Sequence, residues 1–160
     1  MSNDCFLKLA GIAGESPDST HKGEIDVIEW EWDATQSSSM HSGSGGGAGK
    51  ATVHDLTFDH YMDRSSPNLL KYCLTGKHIE SATMTVRKAG AKPLEFLKLT
   101  MTDVIVTRVA PLLKASMDRP RETVCLSFAK VKQEYTIQNQ QGGSGGTVTM
   151  SFDIQKNTEA

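Results

Sequence analysis

The 160-residue sequence lacks long apolar runs and segments dominated by one charge. Its longest apolar stretches, at 104–109 and 111–113, are far too short for a transmembrane helix. The chain has 17 Lys and Arg against 19 Asp and Glu, and the net charge of −2 is spread along its length. Such a balance does not favour binding to a nucleic-acid backbone or an anionic membrane. We therefore expect neither as a partner.

Cysteine is also scarce. Cys5, Cys73 and Cys125 are odd in number, far apart and without a CxxC pair, which argues against a disulfide framework or a zinc knuckle. The first residues, MSND, lack the basic and apolar regions of a secretory signal peptide. We expect a protein with reduced thiols made in the cytoplasm, whose export would not use an N-terminal signal peptide.

Alternation of apolar and polar residues is the dominant pattern. At 147–154, Val148, Met150, Phe152 and Ile154 share one face, which predicts a half-buried strand. The same period occurs at 24–33, 50–61, 79–87, 94–109 and 123–137. The sequence therefore predicts one mainly β domain spanning residues 1–160.

Two of these segments carry chemically useful side chains. In 24–33, Ile28, Trp30 and Trp32 alternate with Glu29 and Glu31, so that the apolar residues are expected to face a core and the two carboxylates water.

The segment 50–61 places His54 and His60 on the face of Leu56 and Phe58, with Asp55 and Asp59 opposite. We expect both histidines at the surface or an interface. A separation of six residues along a strand, about 20 Å, would keep them from sharing a metal ion.

Two local features interrupt the alternation. The apolar positions of 94–109 change faces between Met101 and Val104, which predicts a bulge or a crossing between sheets. At 65–76, serines, Pro67 at the first helical position, an apolar stripe and a final Gly76 predict one short helix. A single helix among so many strands must flank or plug a β-barrel or sandwich.

Two glycine-rich tracts match catalytic motifs only in part. The tract before Lys50 has Ser44 where a phosphate-binding loop needs glycine and Ala51 where it needs Ser or Thr, and a strand pattern follows it. The tract 142–146 formally matches GxSxG around Ser144, but a strand again follows where the nucleophile elbow needs a helix. We expect no catalytic residue, no cofactor site and no metal site, and hence not an enzyme.

A set of collinear segments extends over essentially the whole chain: FLKL at 6–9, GIAGES at 11–16, HKGEIDV at 21–27, WEW at 30–32, GAGK at 47–50, DL at 55–56, DRSSPNL at 63–69, GKH at 76–78, VRKAG at 86–90, residues 122–132 and NTEA at 157–160. In the order and spacing of these segments the sequence resembles the Hcp family, the tube proteins of bacterial type VI secretion systems.

The resemblance implies a small β-barrel of two packed sheets with one flanking helix, assembled into a homohexameric ring. It further implies that rings stack into a tube inside a contractile sheath, with a spike protein at the tip and effector proteins in the lumen. Such a tube protein is released to the medium or a target cell. The resemblance covers the chain to Ala160, and no fused toxin domain is expected.

Two site hypotheses follow within this family. Glu29 and Glu31, opposite the tryptophans, are assigned to the lumen wall and to effector contact. The glycine-rich loop is assigned to contacts between rings or subunits because such a segment can adapt to a neighbour. Its assigned residues are Ser42, Gly43, Gly45, Gly46, Gly47 and Lys50. The alternatives left open are a phage-type tail-tube protein, a non-catalytic ligand-binding β-sandwich and a small hydrolase.

Overall fold

A computed structural model of the chain describes residues 3–38, 40–42 and 50–160. The described part contains eleven strands, one α-helix and a 3-10 turn. In chain order they are β1 (Asn3–Leu9), β2 (Ile25–Asp26), β3 (Glu29–Glu31), β4 (Ala34–Thr35), the 3-10 turn (Met40–Ser42), β5 (Thr52–Val53), β6 (Leu56–Tyr61), α1 (Ser66–Thr75), β7 (Ile79–Lys88), β8 (Leu94–Leu112), β9 (Arg121–Gln138), β10 (Ser144–Asp153) and β11 (Thr158–Glu159).

Nine strands form one antiparallel sheet in the order β11-β10-β9-β8-β7-β1-β2, and β6 joins β9 to β3. The long strands β8 and β9 change partners along their length. Residues 121–126 of β9 pair with β6, whereas residues 130–138 pair with β10. The sheet is thereby divided into a β6 layer (β3, β6 and the halves of β9 and β8 beside them) and a β7 layer (β10, the other halves of β9 and β8, β7 and β1).

The hydrophobic core of the described residues lies between the two layers. It joins Leu56, Phe58 and Leu126 of the β6 layer to Leu7 and Met84 of the β7 layer, all at most 1% exposed. Alternating apolar residues on each strand thus become the two inner faces of the fold.

The larger sheet bends around this core without closing into a barrel. Strand β2 pairs with β1 and β3 pairs with β6, so residues 25–31 connect the two layers by changing partner. The change occurs between Val27, whose amide donates to Cys5, and Ile28, whose amide donates to Asp59. Among the described residues, the second sheet consists of β4 and β5. The predicted mainly β fold of two sheets with one helix is confirmed, and the closed barrel is corrected to a bent open sheet.

The predicted change of face in β8 coincides with Asp103. Met101 and Val104 are both fully buried, although residues three apart lie on opposite faces of a regular strand. Asp103 between them has a φ of 56°, a left-handed conformation that reverses the alternation. A register shift of the β8–β9 ladder follows between Val106 and Arg108. The irregularity keeps both halves of the long strand facing the core.

Helix α1 begins one residue earlier than expected and packs against β8. Ser66 is its first residue and Pro67 its second, and the hydroxyl of the preceding Ser65 donates to Asp63 instead of capping the helix. Gly76 ends it with a φ of 69° and donates its amide to Tyr72 at 2.9 Å. No helix among the described residues has the length and apolar character needed to cross a membrane.

Candidate functional site

The outward side of the β6 layer has an acidic face formed by β3, β6 and β9. The register places Glu29 beside Asp59 and Glu31 beside Thr57, and the next strand adds Thr123 beside Asp59. Since alternate residues of a strand share a face, Glu29 and Glu31 lie about 7 Å apart along β3. The acidic face comprises Glu29, Glu31, Thr57, Asp59, Arg121 and Thr123.

The tryptophans of this segment lie on the opposite side, as the alternation predicted. Trp30 and Trp32 are half-buried against the core, and the indole of Trp32 donates to the carbonyl of His54 at 2.8 Å. Ile28 was also assigned to the core face, and this assignment is wrong. Its side chain is 41% exposed because the chain changes partner strands at this residue.

Arg121 neutralises part of the acidic face. Its guanidinium lies 3.2 Å from Glu29 Oε1 and 3.1 Å from Asp59 Oδ2, and the Thr123 hydroxyl donates to Asp59 Oδ1 at 2.8 Å. Asp59 is thereby fixed by two side chains of β9, whereas Glu31 is exposed to solvent. Three carboxylates with one guanidinium give a shallow, net negative surface that suits cationic or hydrogen-bond-donating groups.

Sequence reasoning missed Arg121 and Thr123 as members of this face and did not connect Asp59 to the glutamates. Alternation along 50–61 assigned Asp59 to the side away from Leu56 and Phe58, which is its observed side. The pairing of β6 with both β3 and β9 is a long-range property that this local signal does not contain.

The assigned glycine-rich loop connects β4 to β5. These strands pair through Ala34 with Val53 and Thr35 with Thr52, so they fix the two ends of the connection. Ser42 is the last residue of the 3-10 turn, and Lys50 is exposed shortly before β5. Gly43, Gly45, Gly46 and Gly47 lie outside the described residues, as does Ser44 of the near-match to a phosphate loop.

The two histidines of segment 50–61, His54 and His60, lie in different environments. His54 is exposed and pairs with Asp33 at 3.1 Å, as a surface residue would. His60 is fully buried, and its Nε2 donates to Glu122 at 2.8 Å. The expectation of a surface or interface position for His60 is therefore wrong. The cause is Glu122 on the neighbouring strand, which provides a polar partner inside the fold.

Ser144 does not lie on a nucleophile elbow. It begins β10, and its hydroxyl accepts a hydrogen bond from the amide of Gly146 at 3.3 Å. The elbow requires a turn from a strand into a helix, whereas here a strand continues. Within the described ranges, no three His, Cys, Asp or Glu residues are grouped to hold a metal ion.

Comparisons with known proteins agree with one another. Residues 6–135 match the family model described as "Type VI secretion system effector, Hcp". The chain is 44% identical to protein hcp1 of Pseudomonas aeruginosa over 162 aligned residues, covering all of both chains.

Among solved structures, the fold is similar to Hcp1 from Salmonella typhimurium, with 50% identity, full coverage of both chains and a TM-score of 0.84. A type VI secretion system effector from Yersinia pestis has 42% identity and a TM-score of 0.78, over 94% of this chain and 100% of that one. The chain belongs to the Hcp family, the secreted tube proteins of type VI secretion systems.

Proposed function

We propose that this chain forms homohexameric rings that stack into the inner tube of a type VI secretion system, with the acidic face on the lumen wall. The observation that carries the tube function is the likeness to the Hcp family over the whole of both chains. Neither the fold nor the comparisons favour a phage tail-tube protein, a ligand-binding sandwich or a hydrolase.

The chemistry of the β6 layer supports the lumen assignment. A tube wall needs a sheet with one side on the subunit core and the other on water, and this layer buries Phe58 while exposing Glu31. The acidic face carries Arg121 between carboxylates. Such a surface can hold folded effector proteins through weak polar contacts and release them after export.

Charge reversal tests the lumen assignment. In rings purified from a secreting cell, Glu31→Arg should change the set of co-purified small proteins, quantified by mass spectrometry. The matched control is Glu80→Arg, the same reversal at an exposed position of β7. Rings of both variants should keep the parent mass. An unchanged protein set for Glu31→Arg would contradict effector contact at this face.

The second proposed site is the loop that includes Ser42, Gly43, Gly45, Gly46, Gly47 and Lys50. Its ends are fixed by the β4–β5 pair, and its glycines can adopt the backbone conformation that a neighbouring molecule requires. We expect deletion of 43–47 to leave rings intact and to block growth of tubes in electron micrographs. Replacement of the same five residues by SGSGS separates loop length from sequence. Tubes of normal length after the deletion would contradict this role.

The remaining partners follow from the tube function. A spike protein at the tip, a contractile sheath and effector proteins complete the proposed apparatus, and the chain would be exported with the tube without an N-terminal signal peptide. Size exclusion with light scattering tests whether the chain forms the hexameric ring on which the tube depends. A particle near six times 17.4 kDa with a ring outline in negative stain is expected. A monomer at all accessible concentrations would overturn the proposal.

A further inference from the structure

The hairpin of β9 and β10 extends beyond the hydrophobic core and exposes the side of the sheet that faces the core elsewhere. One row across the sheet makes this visible: Val148 pairs with Tyr135, Tyr135 with Leu97 and Leu97 with Val86. Val86 is 6% exposed, Tyr135 is 47% exposed and Val148 is 64% exposed. The same face is thus core at one end of the row and solvent-accessible at the other.

The exposed region is contiguous and apolar. Along β10, exposure rises from the half-buried Phe152 through Met150 at 46% to Val148 at 64%. On β9 the corresponding side carries Tyr135 and Ile137, which are about half exposed. We call Tyr135, Ile137, Val148 and Met150 the hairpin face.

The other side of the same hairpin is polar. Thr136 pairs with Thr147 through a hydroxyl contact of 3.2 Å, and Glu134 lies beside Thr149. Glu134 is also 3.9 Å from Lys132. Charged residues of the hairpin therefore avoid the hairpin face, which has the apolar, charge-depleted composition of an interface core.

The outer edge of the hairpin offers backbone groups as well. In the described part of the chain, β10 pairs with β11 only at Phe152 and Asp153. The amide of Ala160 also reaches the carbonyl of Ser151, at 3.2 Å. Residues 147–150 thus have one edge without a strand beside it in the described part of the chain, and such edges are normally covered or blunted in soluble proteins. An apolar face next to an open edge is a docking surface for another protein chain.

The exposed area of the hairpin face can be compared with the area of a stable protein–protein interface. At on the order of 200 Å² for a fully accessible large side chain, four side chains about half exposed present on the order of 400 Å². One side of a stable interface needs about 800 Å². The hairpin face supplies about half of that from four residues, so it fits one part of a larger interface.

We propose that the hairpin face is buried against the neighbouring subunit within the ring. This inference rests on the proposed ring-forming function and assigns one of the two different surfaces that a cyclic, heterologous interface requires. The opposing surface on the neighbour is a different part of the same chain, because two hairpin faces in contact would close a dimer instead of a ring.

Substitution of Val148 tests the inference. Val148→Lys should lower the particle mass from that of the ring to that of a monomer in size exclusion with light scattering. Thr149→Lys is the matched control, because it adds the same charge at the next residue, on the polar side. Circular dichroism and urea unfolding should show both variants folded, since neither position is in the core.

Ile137→Lys is the second variant, near the hairpin end, and covers the case in which Val148→Lys does not fold. If both lysine variants of the hairpin face keep the ring mass, the inference is overturned while the ring function stands. Loss of tube growth with intact rings would overturn it too and would assign the face to contacts between rings. A parent protein that forms no ring would instead contradict the proposed function itself.

Discussion

His60 of β6 donates a hydrogen bond of 2.8 Å to Glu122 of β9, and each side chain is only 1% exposed. The pair joins two adjacent strands at the edge of the core, and the ring of Phe58 lies 5.6 Å from that of His60. Within the described part of the structure, His60 Nδ1 is buried without a hydrogen-bond partner. The pair is therefore a polar contact whose two members depend on each other.

Removal of one member should destabilise the fold strongly. Glu122→Leu leaves a buried imidazole without its acceptor, and His60→Leu leaves a buried carboxylate. Each change should lower the free energy of unfolding by about 3 to 5 kcal/mol, measured by urea denaturation. The double variant should be more stable than either single variant, because no polar group is then left unpaired.

His54→Leu is the matched control for this experiment. It removes a histidine that lies just before the same strand, β6. Because its partner Asp33 is exposed, the free energy of unfolding should fall by less than about 1 kcal/mol. If His60→Leu and Glu122→Leu cost no more than this control, the pair does not stabilise the core.

The alternation in the sequence predicted the side of each strand and, through it, the core. It placed Glu29 and Glu31 opposite the tryptophans and Asp59 opposite Phe58, as observed. It could not predict that His60 meets Glu122, because that contact depends on the register of strands 62 residues apart. Without a known polar partner, a histidine on an apolar face is predicted at the surface, and this is why the prediction for His60 was wrong.

Two apolar patterns predicted burial that a single subunit does not provide. Val148 and Met150 alternate correctly, yet β10 extends past the core and leaves them exposed. Leu70 and Leu74, four residues apart on α1, share a side that is exposed, whereas Leu69 is fully buried. The period of the apolar residues shows which of them share a face. How far the core extends along that face depends on how strands of unequal length overlap.

Stability in acid should depend on Asp18. Arg87 donates two hydrogen bonds to its carboxylate, at 2.7 and 3.1 Å, and these lower the pKa of Asp18 to about 2. An unfolded Asp has a pKa of about 3.9. Because the folded pKa is lower, the stabilisation is complete above about pH 4 and is lost as the pH falls towards 2.

The measurement is the urea midpoint of parent and Asp18→Asn from pH 6 to pH 2. The variant should be less stable at pH 6, and the difference should shrink between pH 4 and pH 2. Asp118→Asn, at an exposed position between β8 and β9, is the control for the charge change. A difference for Asp18→Asn that is constant across this range would contradict the assignment.

The thiol of Cys5 should resist alkylation in the native protein. Burial raises the pKa of Cys5 to about 12, so very little of the thiol is ionised at pH 8, and the thiolate is the reactive form. Iodoacetamide followed by peptide mapping should label Cys5 only after denaturation. Cys5→Ser should leave the native labelling of the other two cysteines unchanged. Labelling of native Cys5 at the rate of a free peptide thiol would contradict its burial.

Gly14 should tolerate no side chain, for a reason of space. A Cβ at this position would lie 2.5 Å from the carbonyl oxygen of Glu24 and 2.9 Å from the Cα of Ile25. Both are backbone atoms and cannot rotate away, and the Gly14 amide already donates to Gly23 at 2.8 Å. Gly14→Ala should therefore displace the loop between β1 and β2 and lower the free energy of unfolding by about 1 to 3 kcal/mol.

Gly143→Ala is the matched control, because the nearest atom to its Cβ would be a side-chain nitrogen of Asn139 at 3.5 Å. Equal urea midpoints for the two variants would show that the loop yields to the added methyl group.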